Sequence, residues 1–200
     1  GYLMDTLPII LTAPVRRVET IEVTRVINSS KRRTSFQKKI GTTMSVEEFK
    51  SAISTGTITG HVGLRESIGL IDSTLQLGLT HIEELPPEPV VASAQTQTAI
   101  GTVKTGHVLG LRSVGIGQRG DDIIVTLNFL AYAGAQPEYD EIRIRGTPSL
   151  VQRIEGGVHG DEGTVAMALN MIPIVVCAEP GLKTMVDLPC PHNTQGIMKG

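Results

Sequence analysis

Apolar positions change their period twice along the chain. Between Tyr2 and Thr12, Leu3, Leu7 and Ile10 recur at helical spacing, and Pro14 predicts where that helix ends. Arg16 to Ile27 alternates instead, with Ile21 and Val23 on one face and Glu22 and Thr24 on the other, which is the period of a strand. The polar, Gly-punctuated run from Ser29 to Thr43 predicts a loop or a short strand. Ser45, with Glu48 three residues on, writes a capping box for a helix over Val46 to Ile53. Leu64, Ile68, Ile71 and Leu75 then restore helical spacing, and Gly78 predicts its stop.

Beyond Gly78 the period drops to two. Thr80 to Glu84, Pro89 to Ala92 and Thr98 to Val114 read as extended. Asp122 to Ala133 is the clearest strand, with Ile123, Val125, Leu127, Phe129 and Ala131 on one face. Its second face carries Ile124, Leu130 and Tyr132, too apolar for open solvent, which predicts self-association through the sheet. Tyr139 to Arg145 sets Ile142 and Ile144 against Arg143 and Arg145, and Leu150 to Ile154 offers one more strand. Short turns between consecutive strands predict a mixed, largely antiparallel sheet rather than βαβ units. Asp161 to Ala178 predicts a long apolar helix to cover it. The expected class is therefore α+β, with a sheet covered on one face by helices. No internal repeat is visible, and Pro86 to Pro89 is too short to divide the chain, so residues 1–200 are expected to form one domain.

Composition narrows the functions. Aromatic residues make up 3% of the chain and Trp is absent, so the core must rest on Ile, Leu, Val and Met. A net charge of −2 gives no reason to expect a polyanionic partner. The one basic cluster (Lys31, Arg32, Arg33, Lys38, Lys39) is too short and too poor in aromatics for a nucleic-acid face. Val165 to Ala178 contains Asn170 and Pro173 and falls short of the roughly 20 residues a membrane span needs. Cys177 and Cys190 have no metal spacing, and reduced thiols in a cytoplasmic protein are the plainer reading, though a disulfide between them stays open. His81, His107 and His192 likewise lack neighbours at ligand spacing, so no catalytic zinc is expected. The chain opens on Gly1 and enters directly into a helical pattern, as a fragment of a longer protein would.

Gly115, Gly117 and Gly120 spell G-x-G-x-x-G, the dinucleotide fingerprint. That motif works by bringing a pyrophosphate to the N-terminus of the following helix. Here an alternating strand follows, so Gly120-Asp121 reads as a hairpin turn and these glycines are not expected to hold a nucleotide.

Five stretches carry a resemblance: GYLMDTLPIILT at 1–12, RRTSFQKKIG at 32–41, GHVGLRES at 60–67, GGVHGDEGT at 156–164 and IPIVVCAEPGLKTMVDLPCP at 172–191. They resemble the C-terminal region of the dihydrodipicolinate reductase-like oxidoreductases, most of all the 2,4-diaminopentanoate dehydrogenase branch. The resemblance implies an N-terminal Rossmann domain, absent from this chain, that binds NAD or NADP, with no tight cofactor binding by these 200 residues alone. True dihydrodipicolinate reductases carry a His-His pair, a Lys and a Ser-Gly-Thr turn. This sequence has neither the His pair nor that turn, so an amino-acid or diamino-acid substrate oxidised at an amine-bearing carbon fits better. The parent protein is expected to be an NAD(P)-dependent oxidoreductase on CH–NH2 or C=N groups, and this part inactive alone. An assembly module or a small-molecule binding domain without its own catalysis are the alternatives. A dimer or tetramer through the sheet is expected in either case.

Hydride transfer from an amine needs a group that handles a proton and charges that hold the substrate. His61 lies between Gly60 and Gly63 before a helix and can act as acid or base, or merely line the helix start. Lys39 is paired with it as a catalytic candidate, able like Arg65 to hold a carboxylate; either could equally be a solvated surface charge. Gln37 and Glu66 are further substrate-binding candidates. Asp161 and Thr164 open the last helix, where Asp161 reads as an N-cap and the free amides beside it could receive an anion.

Overall fold

The computed structural model describes residues 1–30 and 32–193. Lys31 of the basic cluster lies outside them. The chain forms two compact units, Gly1–Gly157 and Val158–Gly200.

In the first unit, a seven-stranded sheet has β1 (Arg17–Asn28) and β7 (Asp122–Tyr132) paired in parallel at its centre. β6 (Val108–Arg119) runs antiparallel on the outer side of β7, with β2 (His81–Glu84) and β3 (Glu88–Val91) beyond it. β8 (Tyr139–Thr147) and β9 (Leu150–Glu155) extend the other side, antiparallel. A small hairpin of β4 (Thr96–Thr98) and β5 (Gly101–Val103) stands apart, within the stretch expected to be uniformly extended. The class is the expected α+β, mixed and largely antiparallel.

The helices follow local signals to differing degrees. α3 (Val46–Ser54) begins with the capping box intact: the Glu48 amide donates to Ser45 Oγ and the Ser45 amide to Glu48 Oε2. α4 (Leu64–Leu75) buries Leu64, Ile68 and Ile71, and it ends on Gln76 in a left-handed conformation before Gly78 is reached. α1 is shorter than its pattern, Thr6–Leu11, because residues 2–5 form turns. Its buried residues are Thr6 and Pro8 rather than Leu7 and Ile10, with Met4 and Asp5 buried in the turn before it, where the Asp5 carboxylate accepts from Thr6 Oγ1 at 2.9 Å and Ser67 Oγ at 2.8 Å. That contact fastens α1 to α4. The segment read as a loop contains α2 (Thr34–Lys39), whose only apolar contact residue, Phe36, gives no period to detect.

One sheet face carries the core. Ile21 and Val23 of β1, Val125, Leu127, Phe129 and Ala131 of β7, and Ile142 and Ile144 of β8 pack with Phe49 and Ala52 of α3 and with α4. A bulge between Gly117 and Gln118 shifts the start of β7, so Ile124 joins this core while Ile123 is 49% exposed, the reverse of strict alternation.

The glycine motif lies in β6 under α4. A Cβ at Gly117 would sit 2.6 Å from Leu79 Cδ1 and 2.9 Å from Ile68 Cγ2, and one at Gly115 would sit 2.9 Å from Leu64 Cβ. These glycines let a helix approach a sheet, and Gly120 (φ +60°) turns the β6–β7 hairpin.

The second unit carries α5 (Gly160–Val176), expected to cover the sheet. None of its residues is buried, and Val165, Leu169, Ile172, Val175 and Val176 are exposed. Within the first unit the core face of the sheet is covered by α3 and α4. The N-cap is His159 and not Asp161, which falls in the first turn. Cys177 and Cys190 are free and exposed. Among the described residues no helix is long and apolar enough to cross a membrane, and no group of three His, Cys, Asp or Glu could hold a metal ion.

Candidate functional site

Four residues form a row across the core face, one per strand. Register places Ser113 of β6 beside Phe129 of β7, Phe129 beside Arg25 of β1, and Arg25 beside Asp140 of β8. On β1 the inward positions run Ile21, Val23, Arg25, so the chain puts a cation where its pattern calls for a hydrophobe. Asp140 does the same ahead of Ile142 and Ile144. The two meet at 3.4 Å between Arg25 Nε and Asp140 Oδ1, with side chains only 12% and 6% exposed.

His61 completes the row from above. Its ring stacks on Phe129, centroids 4.0 Å apart and planes 19° from parallel. The loop that carries it is pinned at Gly60 (φ +64°), where a Cβ would meet Leu111 and Pro87, each at 3.1 Å. Burial pushes the half-buried imidazole down to about 4, with the positive charges of Lys39 and Arg25 adding to the shift. At neutral pH the ring is uncharged.

Lys39, the last residue of α2, is exposed and close enough to act on His61. The loop between β1 and α2 is held by Gln37, fully buried, whose Nε2 donates to the carbonyls of Arg32 at 2.7 Å and Ser30 at 3.2 Å. Arg32 is 7% exposed and lies over the Phe36 ring at 4.6 Å. Burial holds the Arg25 guanidinium below its usual range, Asp140 opposes that shift, and Arg32 adds to it. Three cations (Arg25, Arg32, Lys39) thus gather around a neutral imidazole, and Asp140 supplies a counter-charge. Such a cluster favours an anion.

The structure brings His61 and Lys39 together, with Gln37 fastening the loop before Lys39. Arg65 and Glu66 are drawn elsewhere. Arg65 Nη1 donates to the Ile82 carbonyl on β2, and Glu66 faces the like charge of Glu84, raised chiefly by burial although the Arg65 and Leu64 amides donate to it. Glu84 therefore occupies the start of α4. In the second unit Thr164 Oγ1 donates to the Gly160 carbonyl at 2.7 Å, and Asp161 is half-buried. Arg25, Phe129 and Asp140, which the structure sets beside His61, are not among the residues the sequence singled out. The available signal was a charge at an inward-facing position on each of two alternating strands.

A match to the family described as the 2,4-diaminopentanoate dehydrogenase C-terminal domain covers residues 2–200. The chain belongs to that family. It is 32% identical over 202 residues to the 2,4-diaminopentanoate dehydrogenase of Acetoanaerobium sticklandii, a match covering 98% of this chain and 57% of that protein. Its fold is similar to that of an amine dehydrogenase from Mycobacterium smegmatis, with a TM-score of 0.80 at 20% identity, over 96% of this chain and 57% of the other. This family member thus spans little more than half the length of the relatives it matches.

Proposed function

We propose that this chain is the substrate-binding and subunit-pairing part of an NAD(P)-dependent oxidoreductase that acts at an amine-bearing carbon of an amino or diamino acid. The observation that carries this is the cation cluster around the neutral His61 ring, set in a family whose curated relative is named a dehydrogenase. The residues present do not fit a dinucleotide, because Gly115 and Gly117 are packed beneath α4. In this reading the cofactor is held by a part of the parent protein outside these residues.

In this reading Lys39 and Arg25 hold a substrate carboxylate and His61 handles the proton of the reacting nitrogen. An anion placed among the cations offsets the charges that depress His61, so the ring's proton affinity rises when substrate binds. Gln37 acts by positioning the loop. The second sheet face, with Val26, Leu130 and Tyr132 among Glu22, Arg112, Glu141 and Arg143, pairs with a second copy, since patches of both signs can match themselves across a twofold axis.

The test is turnover by the product of the whole gene with 2,4-diaminopentanoate and either NAD or NADP. His61→Ala should lower kcat by a factor on the order of 100, and Lys39→Ala should mainly raise KM. No reduction of either nucleotide by any amine substrate refutes the oxidoreductase reading. Sedimentation tests the pairing: Tyr132→Asp should weaken association while leaving the fold intact.

A further inference from the structure

Asp5 is buried, and both oxygens of its carboxylate accept hydrogen bonds: Oδ1 from the Thr6 amide and Thr6 Oγ1, Oδ2 from Ser67 Oγ at 2.8 Å. Fastening α1 to α4 does not by itself call for a charge at this point. Met4, Leu7 and Leu11 already pack on the core, and an apolar pair would make the same attachment without the solvation cost of burying a carboxylate. What an apolar contact lacks is direction. Packed methyl groups slide and roll, whereas a charge-assisted hydrogen bond fixes a distance and an angle.

That direction is delivered to one end of the loop that carries His61. Ser67 lies in the first turn of α4, and its amide donates to the Gly63 carbonyl at 3.0 Å. Asp5, Ser67 and Gly63 thus form a continuous line of hydrogen bonds that ends two residues from His61. Gly63 (φ +109°) opens α4 with no side chain of its own to cap it. The loop's other end is pinned at Gly60 against Leu111 and Pro87. Between the two ends Val62 is exposed, and the imidazole rests on Phe129 by stacking. Among the described residues no hydrogen bond holds the His61 ring. Its place therefore depends on where the loop's two ends are held.

We infer that Asp5 is a positioning residue for His61: through Ser67 and Gly63 it sets where the imidazole lies on Phe129. This rests on reading His61 as the group that handles the substrate's proton, and it adds a residue that acts on the reaction only through another. Asp5 acts by geometry and not by charge, and the two differ in sign. If its negative charge were felt at the ring, losing it would lower the imidazole's proton affinity further. Losing the hold instead lets the ring leave Phe129 for water, which raises that affinity.

NMR titration of the His61 ring protons in the 200-residue chain reads the difference. Ser67→Ala and Asp5→Ala should each raise the midpoint from about 4 to above about 5, and move the ring protons downfield as the stack loosens. Asp5→Asn still accepts from Thr6 and can turn an amide N–H to Ser67 Oγ, so it should keep the wild-type midpoint. Ser45→Ala, which removes the cap of α3, is the control for general destabilisation and should also leave the midpoint in place. If Asp5→Ala does not fold, Ser67→Ala, which lacks only a hydroxyl, decides alone. A midpoint in Ser67→Ala that stays near 4 or falls overturns the inference, as does an equal rise in Asp5→Asn or Ser45→Ala. In the whole gene product Ser67→Ala should lower kcat about tenfold and leave KM within about threefold. An unchanged kcat beside a raised midpoint, or no amine oxidation at all, counts against the catalytic reading of His61 and leaves its positioning by Asp5 standing.

Discussion

His61 ties stability to pH. Its folded pKa of about 4 lies below the ordinary value of 6.5, with burial as the main cause. Between those two values the unfolded chain binds a proton that the folded chain refuses. Stability contributed by the neutral ring is therefore present above pH 6.5 and is lost as pH falls toward 4, by an amount on the order of 3 kcal/mol. His61→Phe keeps an aromatic ring on Phe129 and removes the titration. Melting temperatures at pH 7 and pH 4.5 should differ less in that variant than in the wild type. At the same scale, Gly117→Ala forces a methyl group to 2.6 Å from Leu79 and should cost about 1–3 kcal/mol in urea unfolding. An unchanged unfolding midpoint would show that α4 shifts freely over β6.

Elements differ in how much of their stability is local. α3 is set by its own cap, so Ser45→Ala should cost about 1 kcal/mol. Gly69 sits inside α4 with open space where a side chain would go, so Gly69→Ala should stabilise by about 0.5–1 kcal/mol, measured by the same unfolding curves. These two changes act in opposite directions on neighbouring helices, and both follow from backbone and cap physics alone. α2 is the contrary case. It has six residues and no periodic apolar face, and its place depends on Gln37 reaching back to Ser30 and Arg32. Helix propensity could not announce it. The β6 segment shows the same dependence, since its glycines read as a nucleotide motif until the strand and the helix above it are both in place.

At the scale of the molecule, the first unit closes a core of its own, while α5 is apolar on every side and has no buried residue. Helices apolar on every side are ordinarily buried ones, so α5 departs from its own composition here. The placement of Gly115 and Gly117 under α4 leads to one more expectation. Calorimetry of this chain with NADH or NADPH should give no measurable heat of binding. Micromolar affinity that disappears on changing Gly117 would mean that α4 leaves β6 to admit the nucleotide.

The sequence by itself determined the period of each long element, the capping box of α3, the strand character of the glycine motif and, through five short stretches, the family. All of these are carried by residues close together in the chain. His61 and Lys39 are singled out as candidates by the glycine-bearing loops around them, which are local in sequence. Only the tertiary structure decided that Arg25, Phe129 and Asp140 share a row beneath His61. Those three sit on β1, β7 and β8, far apart in sequence, and their adjacency is set by strand order and register. Strand order is set by the parallel pairing of β1 with β7, and the register runs without interruption through Arg25, Phe129 and Asp140. Neither is written in any single segment, because each is fixed by how the hydrophobic faces of several strands fit under the same two helices.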